Sequence, residues 1–261
     1  MKSKVDLLVF GTCSGTEPQP GRHHVAFAVR HHEKLYWFDA GECCSYTAHL
    51  MGVDVRDISA VFISHPHMDH IGGLGNLLWN IRKLDASAHK CDGKIFRLFM
   101  PDEETWPSLL GLLKQTEGGF GCRFSIDEKR FSDGLVFEED GLKVSALHNS
   151  HLPPCEDGTY RSFSFLIEAD GKRIAYTGDV GTYTEIEPLI RHADVLLAET
   201  GHHTPEKVCR ELNEMGCAPG RLMFIHHGRA LLNDPEKAIA DAKSIYKGRI
   251  IVLNDGDKFS I

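Results

Sequence analysis

The residues best suited to chemistry form one short run, His65-Pro66-His67-Met68-Asp69-His70. Imidazole and carboxylate groups are the usual protein ligands of zinc and similar divalent ions. Two histidines at alternate positions can face one way from an extended turn, whereas Asp69 and His70 can face the other way as the chain enters the next element. The spacing therefore predicts a site for two adjacent ions, rather than a polar loop that happens to be rich in histidine.

Such a run supplies only half of the ligands for two ions, so other strand ends must contribute. Asp179 follows a predicted strand directly, and its carboxylate is placed to bridge two cations; by itself the position is equally typical of a turn or a helix cap. Two histidine pairs also follow predicted strands, His148 with His151 and His226 with His227. One member of each pair is expected to bind metal, and the spacing does not decide which.

Strand-like and helix-like segments alternate along the whole chain and would position these residues. The predicted strands cover residues 5–11, 24–30, 35–39, 60–64, 96–100, 142–147, 163–168, 173–177, 195–199, 221–225, 249–253 and 258–261. The predicted helices cover residues 73–84, 105–113, 185–192, 205–215 and 235–245. Each half begins with mostly consecutive strands and continues with helices, which favours an α/β fold with two sheets face to face and helices outside. One domain spanning residues 1–261 is expected.

The bulk composition narrows the class of protein. The chain has 261 residues, a net charge of −8 and a mean hydropathy of −0.24, which is typical of a soluble protein with a buried core. Net negative charge disfavours polyanionic partners, so a small-molecule substrate is expected and nucleic acid is disfavoured. No signal peptide or membrane span is visible, which predicts a cytoplasmic protein whose eight cysteines are thiols. A homodimer remains an option.

Together these residues resemble the metallo-β-lactamase-fold hydrolase superfamily, whose hallmark H-x-H-x-D-H is intact at residues 65–70. Other segments are similar to its ribonuclease Z-like branch: Phe10-Gly11-Thr12, Phe38-Asp39-Ala40-Gly41-Glu42, Thr177-Gly178-Asp179 and Ala198-Glu199-Thr200. The resemblance covers nearly the whole chain. It implies the αβ/βα four-layer sandwich of the metallo-β-lactamase type.

The resemblance also implies a complete ligand set, in which one histidine of each pair is selected. It assigns His65, His67 and His151 to one ion, Asp69, His70 and His226 to the other, and Asp179 to both. Two divalent ions are expected, with zinc favoured over manganese or iron. Asp39 is expected to orient a ligand histidine from behind.

The implied mechanism gives catalytic roles to Asp69, His203 and Glu199. Two neighbouring cations lower the pKa of a bridging water, so that hydroxide forms near neutral pH and is oriented by Asp69 together with Asp179. His203 is assigned as the acid that protonates the leaving group, and Glu199 as the residue that holds it. The alternative for His203 is an exposed loop histidine with no role.

The predicted function is hydrolysis of a phosphodiester through this metal-bridging hydroxide. A carboxylic ester, lactone or thioester on the same site is the main alternative. Ribonuclease Z that processes tRNA carries a tRNA-gripping arm between the isolated histidine ligand and the bridging aspartate. Here residues 152–158 of that interval carry two acids and no lysine or arginine, which disfavours tRNA 3′ processing. Two further alternatives are disfavoured. A di-iron redox protein would need an electron-carrier domain, and a binding module without metal would not need the intact ligand set.

Overall fold

The computed structural model describes residues 5–116 and 118–261. The strands are β1 Val5–Gly11, β2 Ala26–His31, β3 Lys34–Phe38, β4 Ile58–Phe62, β5 Ile95–Met100, β6 Ser125–Arg130, β7 Gly134–Glu139, β8 Leu142–His148, β9 Phe163–Ala169, β10 Lys172–Tyr176, β11 Val195–Thr200, β12 Arg221–His227, β13 Ile250–Val252 and β14 Lys258–Ser260. The α-helices are α1 Cys44–Leu50, α2 Met68–Ile71, α3 Leu74–Ala88, α4 Thr105–Thr116, α5 Glu187–Ile190, α6 Pro205–Glu214, α7 Arg229–Leu232 and α8 Pro235–Ile245. Short 3₁₀ helices cover Val55–Asp57 and Tyr183–Ile186.

Two seven-stranded sheets form the centre of the protein. Their strand orders are β14-β1-β2-β3-β4-β5-β6 and β13-β12-β11-β10-β9-β8-β7. One apolar cluster lies between the sheets, and one further cluster packs each sheet against its helices. The αβ/βα four-layer sandwich predicted from the sequence is confirmed.

Side-chain alternation explains why the inner strands are almost wholly apolar. In β1, Leu7 and Val9 join the cluster between the sheets, whereas Leu8 and Phe10 join the cluster beneath the helices. Successive side chains of a strand point to opposite faces, and both faces of these sheets are covered. Continuous apolar runs such as Val5–Gly11 are therefore buried along their whole length.

Strand direction brings the candidate ligands to one rim. In the second sheet β10, β11 and β12 are parallel, and β8 runs the same way because β9 is antiparallel to both β8 and β10. The carboxyl ends of these strands carry Asp179, His226 and the segment 148–151. The end of β4 carries the run that starts at His65, and the two sheets face each other across the core.

Two edge strands, β6 and β7, and three short α-helices, α1, α2 and α7, were not predicted from the sequence. β6 and β7 each close the edge of a sheet, where only one neighbouring strand is paired. β6 reads Ser-Ile-Asp-Glu-Lys-Arg, a polar composition that does not predict a strand. The segment is extended because its backbone pairs with β5 at the edge of the sheet. Helix α1 has seven residues, which is too short for an apolar period to stand out.

The structure also bears on the cysteines and on membrane association. All eight cysteines lie in the described part of the chain and are free thiols, and five of them are buried. Among the described residues, no helix is long and apolar enough to cross a lipid bilayer.

Candidate metal centre

Asp39 organises the turn that follows β4. Its two carboxylate oxygens accept hydrogen bonds from the Ser64 backbone N–H at 2.7 Å and the Ser64 hydroxyl at 2.8 Å. The same carboxylate lies 2.8 Å from His70 Nδ1 and accepts a bond from the Tyr176 hydroxyl at 2.7 Å. A histidine whose Nδ1 donates to a carboxylate presents Nε2 to the other side. Asp39 therefore fixes the direction in which His70 faces.

Seven of the predicted residues converge on two adjoining groups of potential ligand atoms. One group contains His65, His67, His151 and Asp179, and the other contains Asp69, His70, Asp179 and His226. Within each group the ligand atoms lie within 4.8 Å of one another. Asp179 belongs to both groups, so its two oxygens face two neighbouring positions for a cation.

The first group is open to solvent on one side. His65 Nε2 and His151 Nε2 lie 3.6 and 3.7 Å from Asp179 Oδ2, and His151 Nε2 lies 3.3 Å from His67 Nδ1. His65 is fully buried, whereas His67 is exposed and His151 is half-buried. A substrate can therefore approach this group from the His67 side.

The second group is buried in all its members. His226 Nε2 lies 3.0 Å from Asp69 Oδ2, and His226 Nδ1 lies 3.3 Å from Asp179 Oδ1. His70 Nε2 lies 3.4 Å from Asp179 Oδ1. The packing leaves no space for a side chain at Gly201, where a Cβ would lie 2.5 Å from His226 Nδ1.

Unsatisfied polar atoms show that these groups fit metal ions. His65 Nε2, Asp179 Oδ1 and His226 Nδ1 are buried and have no hydrogen-bond partner among the described residues. Leaving a buried donor or acceptor unpaired costs about 1–3 kcal/mol, so native proteins rarely do so without a ligand. Imidazole nitrogens and carboxylate oxygens are the donor set of zinc and related ions, and they could hold one ion in each group.

The electrostatics of the two ligand groups also favour a cation. Burial raises the pKa of the Asp179 carboxyl, but the neighbouring His226 and His70 lower it by more, so the pKa lies below its ordinary value. Burial lowers the pKa of His226, but Asp179 and Asp69 raise it to about 9. The pKa of His65 lies well below its ordinary value because of burial and the neighbouring His70. Ionised carboxylates thus supply buried negative charge to both groups.

The structure separates the members of both histidine pairs. His151 lies in the first group, whereas His148 Nδ1 lies 2.7 Å from Asp133 Oδ2, outside it. His226 lies in the second group, whereas the neighbouring His227 donates from Nε2 to the Leu253 carbonyl at 2.9 Å. Burial lowers the pKa of His227 to about 3, so this ring is neutral and structural.

The two histidines before α6, His202 and His203, lie in different surroundings. His203 is only 4% exposed, and its Nε2 donates to the Val180 carbonyl at 3.0 Å. His202 instead exposes 46% of its side chain, and its Nδ1 lies 3.2 Å from Glu199 Oε1 and 3.7 Å from Asp179 Oδ2. Both histidines precede α6, and only the backbone path decides which one faces the rim. Glu199 Oε1 also lies 3.7 Å from His203 Nε2, but of the two rings it is His202 that approaches Asp179 as well.

Sequence reasoning also missed Asn149, which positions the loop that carries His151. Its Oδ1 accepts hydrogen bonds from the His151 N–H at 3.1 Å and the Ser162 hydroxyl at 2.7 Å. An asparagine just after a strand was a signal for such a turn, since its side chain bonds readily to nearby backbone. The loop of His24 also lies close to the second group. Gly41 separates the two, since a Cβ at this position would lie 2.6 Å from both His24 Cβ and the Asp69 carbonyl oxygen.

The chain matches a known protein family and several curated proteins. The family model described as a β-lactamase superfamily domain matches residues 44–242, which is more than half of the chain. Among curated proteins, ribonuclease Z of Treponema denticola is 37% identical over 156 residues, covering 58% of this chain and 46% of that enzyme. The chain thus spans less than half of the length of this relative.

Two solved structures share the fold over nearly all of both chains. The metallo-β-lactamase fold protein YhfI from Bacillus subtilis has a TM-score of 0.75 and 17% identity, with 100% of each chain covered. The short form of human tRNase Z has a TM-score of 0.73 and 18% identity, with 98% of this chain and 99% of that chain covered. The family match shows that the chain belongs to the β-lactamase superfamily, and the two structures show that it has the metallo-β-lactamase fold.

Proposed function

We propose that this protein is a phosphodiesterase that holds two divalent ions, one in each group. The observation that carries the proposal is the position of Asp179, which contributes one carboxylate to both groups. His65, His67 and His151 would hold one ion, Asp69, His70 and His226 the other, and Asp179 both. Zinc is the favoured ion, since histidine and carboxylate ligands suit it best, with manganese or iron as alternatives.

Two ions at these positions would supply hydroxide near neutral pH and would neutralise charge that develops on phosphate oxygens. The side chains of the protein then have distinct tasks. The oxygens of Asp69 and Asp179 accept hydrogen bonds from the attacking water and orient it towards phosphorus. His67 and His151 border the open side of the site, where a substrate enters.

His202 is the proposed proton donor to the leaving group. Its Nδ1–H donates to Glu199 Oε1, which leaves Nε2 free to carry the proton that is transferred. Glu199 is fully buried and also accepts from the His202 backbone N–H at 2.9 Å, so the ring and its backbone are held by the same carboxylate. Glu199 is thus a positioning residue for His202.

The names of the relatives favour a phosphodiester over a carboxylic ester. Ribonuclease Z of Treponema denticola and the short form of human tRNase Z are named for RNA, whose backbone is a chain of phosphodiesters. The same names make tRNA 3′ processing the second candidate, and they weaken the expectation that a nucleic-acid substrate is disfavoured. The net charge of −8 and the acids in residues 152–158 still weigh against a tRNA substrate.

The test is a comparison of substrates on protein loaded with zinc, manganese or iron. We expect hydrolysis of bis(p-nitrophenyl) phosphate, weak or no hydrolysis of p-nitrophenyl acetate and of lactones, and poor cleavage of precursor tRNA. The variant His151→Ala should lose metal and activity, whereas the matched variant His192→Ala, at an exposed histidine outside both groups, should retain both. A preference for the acetate or a lactone would replace the phosphodiester, and efficient 3′ processing of precursor tRNA would place the second candidate first.

A further inference from the structure

A second feature at the same rim is a cleft of about 500 Å³. Its lining consists of Arg130, Phe131, Ser132, Asp133, Gly158, Thr159, Tyr160 and Phe163. The rings of Phe131 and Phe163 are buried, with centroids 4.7 Å apart, and contribute an aromatic base. The lining comes from the end of β6 and the loop after it, and from the loop before β9 and the start of β9.

Hydrogen bonds connect the cleft to the first group of ligands, on the side of His151. The Phe163 N–H donates to the carbonyl of Ser64, the residue that directly precedes the histidine run, at 3.0 Å. Asn149 connects His151 to Ser162, the neighbour of Phe163 in the chain. Because β4, β5 and β6 are parallel, the end of β6 and the end of β4 lie at the same edge of their sheet.

A stacked pair of rings forms one wall of the cleft. Tyr160 lies on His148 with ring centroids 3.7 Å apart and 22° between the ring planes. Asp133 fixes His148, since its carboxylate accepts from the His148 backbone N–H at 2.7 Å and lies 2.7 Å from Nδ1. Tyr160 nevertheless remains 36% exposed, so the supported ring is accessible from the cleft.

The charges of the lining favour a neutral occupant over an anion. Arg130 is the cation of the lining, and its guanidinium already donates to Glu103 Oε1 at 2.6 Å and Thr159 Oγ1 at 2.9 Å. The other polar groups are the hydroxyls of Ser132 and Thr159 and the carboxylate of Asp133. Aromatic faces with hydrogen-bonding groups at the edge suit a flat, neutral ring that carries polar atoms.

We propose that this cleft binds the nucleobase of one ester arm of the substrate, which makes the substrate a nucleoside phosphodiester. The base stacks on Tyr160 and its polar edge meets Asp133 and Thr159, while the phosphodiester lies beside His151. This assignment rests on the proposed phosphodiesterase function and specifies its substrate class. Stacking tolerates different bases, so both purines and pyrimidines are accepted.

The experiment uses substrates with the same leaving group and different second arms. The p-nitrophenyl esters of thymidine 5′-phosphate and adenosine 5′-phosphate carry a base, whereas methyl p-nitrophenyl phosphate does not. We expect the metal-loaded protein to prefer both nucleoside esters in kcat/KM by roughly 5- to 150-fold, the range that one stacked base provides.

Three variants connect that preference to the cleft. Tyr160→Ala should remove most of it and leave kcat/KM for the methyl ester unchanged, while Tyr160→Phe should keep it because the ring remains. Tyr46→Ala, which removes a 57% exposed tyrosine from α1, is the matched control and should behave like the wild type. Thymidine 5′-monophosphate should inhibit competitively, and Tyr160→Ala should weaken this inhibition by a similar factor.

The outcomes separate the two proposals. Hydrolysis of no ester would overturn the phosphodiesterase function and the cleft assignment with it. Equal kcat/KM for the methyl and nucleoside esters, or a preference that Tyr160→Ala leaves intact, would overturn the cleft assignment alone. A nucleoside ester placed at the end of a short oligonucleotide distinguishes the source of the base: a higher kcat/KM indicates a nucleic-acid terminus, and an equal or lower one indicates a small nucleotide.

Discussion

Two carboxylates lie between the sheets at opposite rims, and they differ in how completely their neighbours satisfy them. Glu139, at the end of β7, accepts hydrogen bonds from Ser59 at 2.5 Å, Arg97 at 2.8 Å and Tyr36 at 3.1 Å, and lies 3.1 Å from Lys34 Nζ. Ser59 is near the start of β4, whereas the histidine run follows its end. This far rim therefore holds a complete ionic cluster.

Asp179 shows the opposite arrangement. Its Oδ1 is buried without a hydrogen-bond partner in the described residues, and so are His65 Nε2 and His226 Nδ1 beside it. A satisfied cluster such as that of Glu139 stabilises the fold, whereas an unsatisfied one retains its capacity for a ligand. The contrast predicts that substitutions at the Asp179 rim change activity and metal content, and that substitutions at the Glu139 rim change stability.

The largest expected effect is that of Asp179→Ala. In the proposed site both ions would lose a ligand and the attacking water would lose an acceptor, so hydrolysis of bis(p-nitrophenyl) phosphate should fall by about 10⁴-fold or more. Elemental analysis should show fewer metal ions per chain, with the circular dichroism spectrum unchanged. Asp241→Ala, at an exposed carboxylate of α8, is the control. Wild-type turnover and metal content in the Asp179 variant would remove the basis of the two-ion site.

The second effect concerns the adjacent histidines before α6. His202→Ala should slow a phosphodiester with an alkyl leaving group by about 10²–10⁴-fold, the usual contribution of general acid catalysis. A p-nitrophenol leaving group needs no proton and should be affected much less. His203→Ala should show no such dependence and should lower stability, because it removes the bond to the Val180 carbonyl. If only His203→Ala shows the leaving-group dependence, the assignment made from the sequence is correct.

Asp39→Ala should give an intermediate effect. The substitution removes the carboxylate behind His70, and loss of such a partner usually weakens metal binding by about 10- to 100-fold. Competition with a chelating dye measures this affinity directly. Asp255→Ala provides the comparison, since that carboxylate also contacts a histidine, His23, outside both ligand groups. Equal losses of affinity in the two variants would argue against a specific role for Asp39.

The smallest effect on catalysis is expected at the far rim. Glu139→Gln should lower the free energy of unfolding by about 1–3 kcal/mol and leave kcat and metal content unchanged. Burial raises the pKa of Glu139, but Ser59, Arg97 and Lys34 lower it to about 2. A carboxyl with a lowered folded-state pKa stabilises the protein above its ordinary pKa, and this contribution is lost as pH falls towards 2.

Denaturant unfolding at several pH values checks that sign. The stability deficit of Glu139→Gln should be largest near neutral pH and should shrink between about pH 4.5 and pH 2. A deficit that stays constant over this range would mean that the charge of Glu139 contributes little. A loss of turnover in the same variant would contradict the division of roles between the rims.

The sequence by itself determined the fold class and the chemistry of the rim. Apolar runs such as Val5–Gly11, separated by helical segments, require sheets covered on both faces, because such strands cannot face water. The run from His65 to His70 contains side chains that suit divalent ions, and their spacing lets them face two neighbouring metal positions. These conclusions depend on local patterns and on residue chemistry, and both can be read from the sequence without knowing how the chain packs.

The tertiary structure shows what residue spacing left open, namely which member of each adjacent pair faces the site. His226 adopts a left-handed backbone with φ of 52°, which points its ring into the second group while His227 turns to Leu253. The same holds for His202 and His203. Side-chain direction at a strand end depends on the last dihedral angles and on the neighbouring strand, and neither can be read from residue type. The cleft of Tyr160 was hidden for the same reason, since its walls come from segments that are distant in sequence and meet only at the rim.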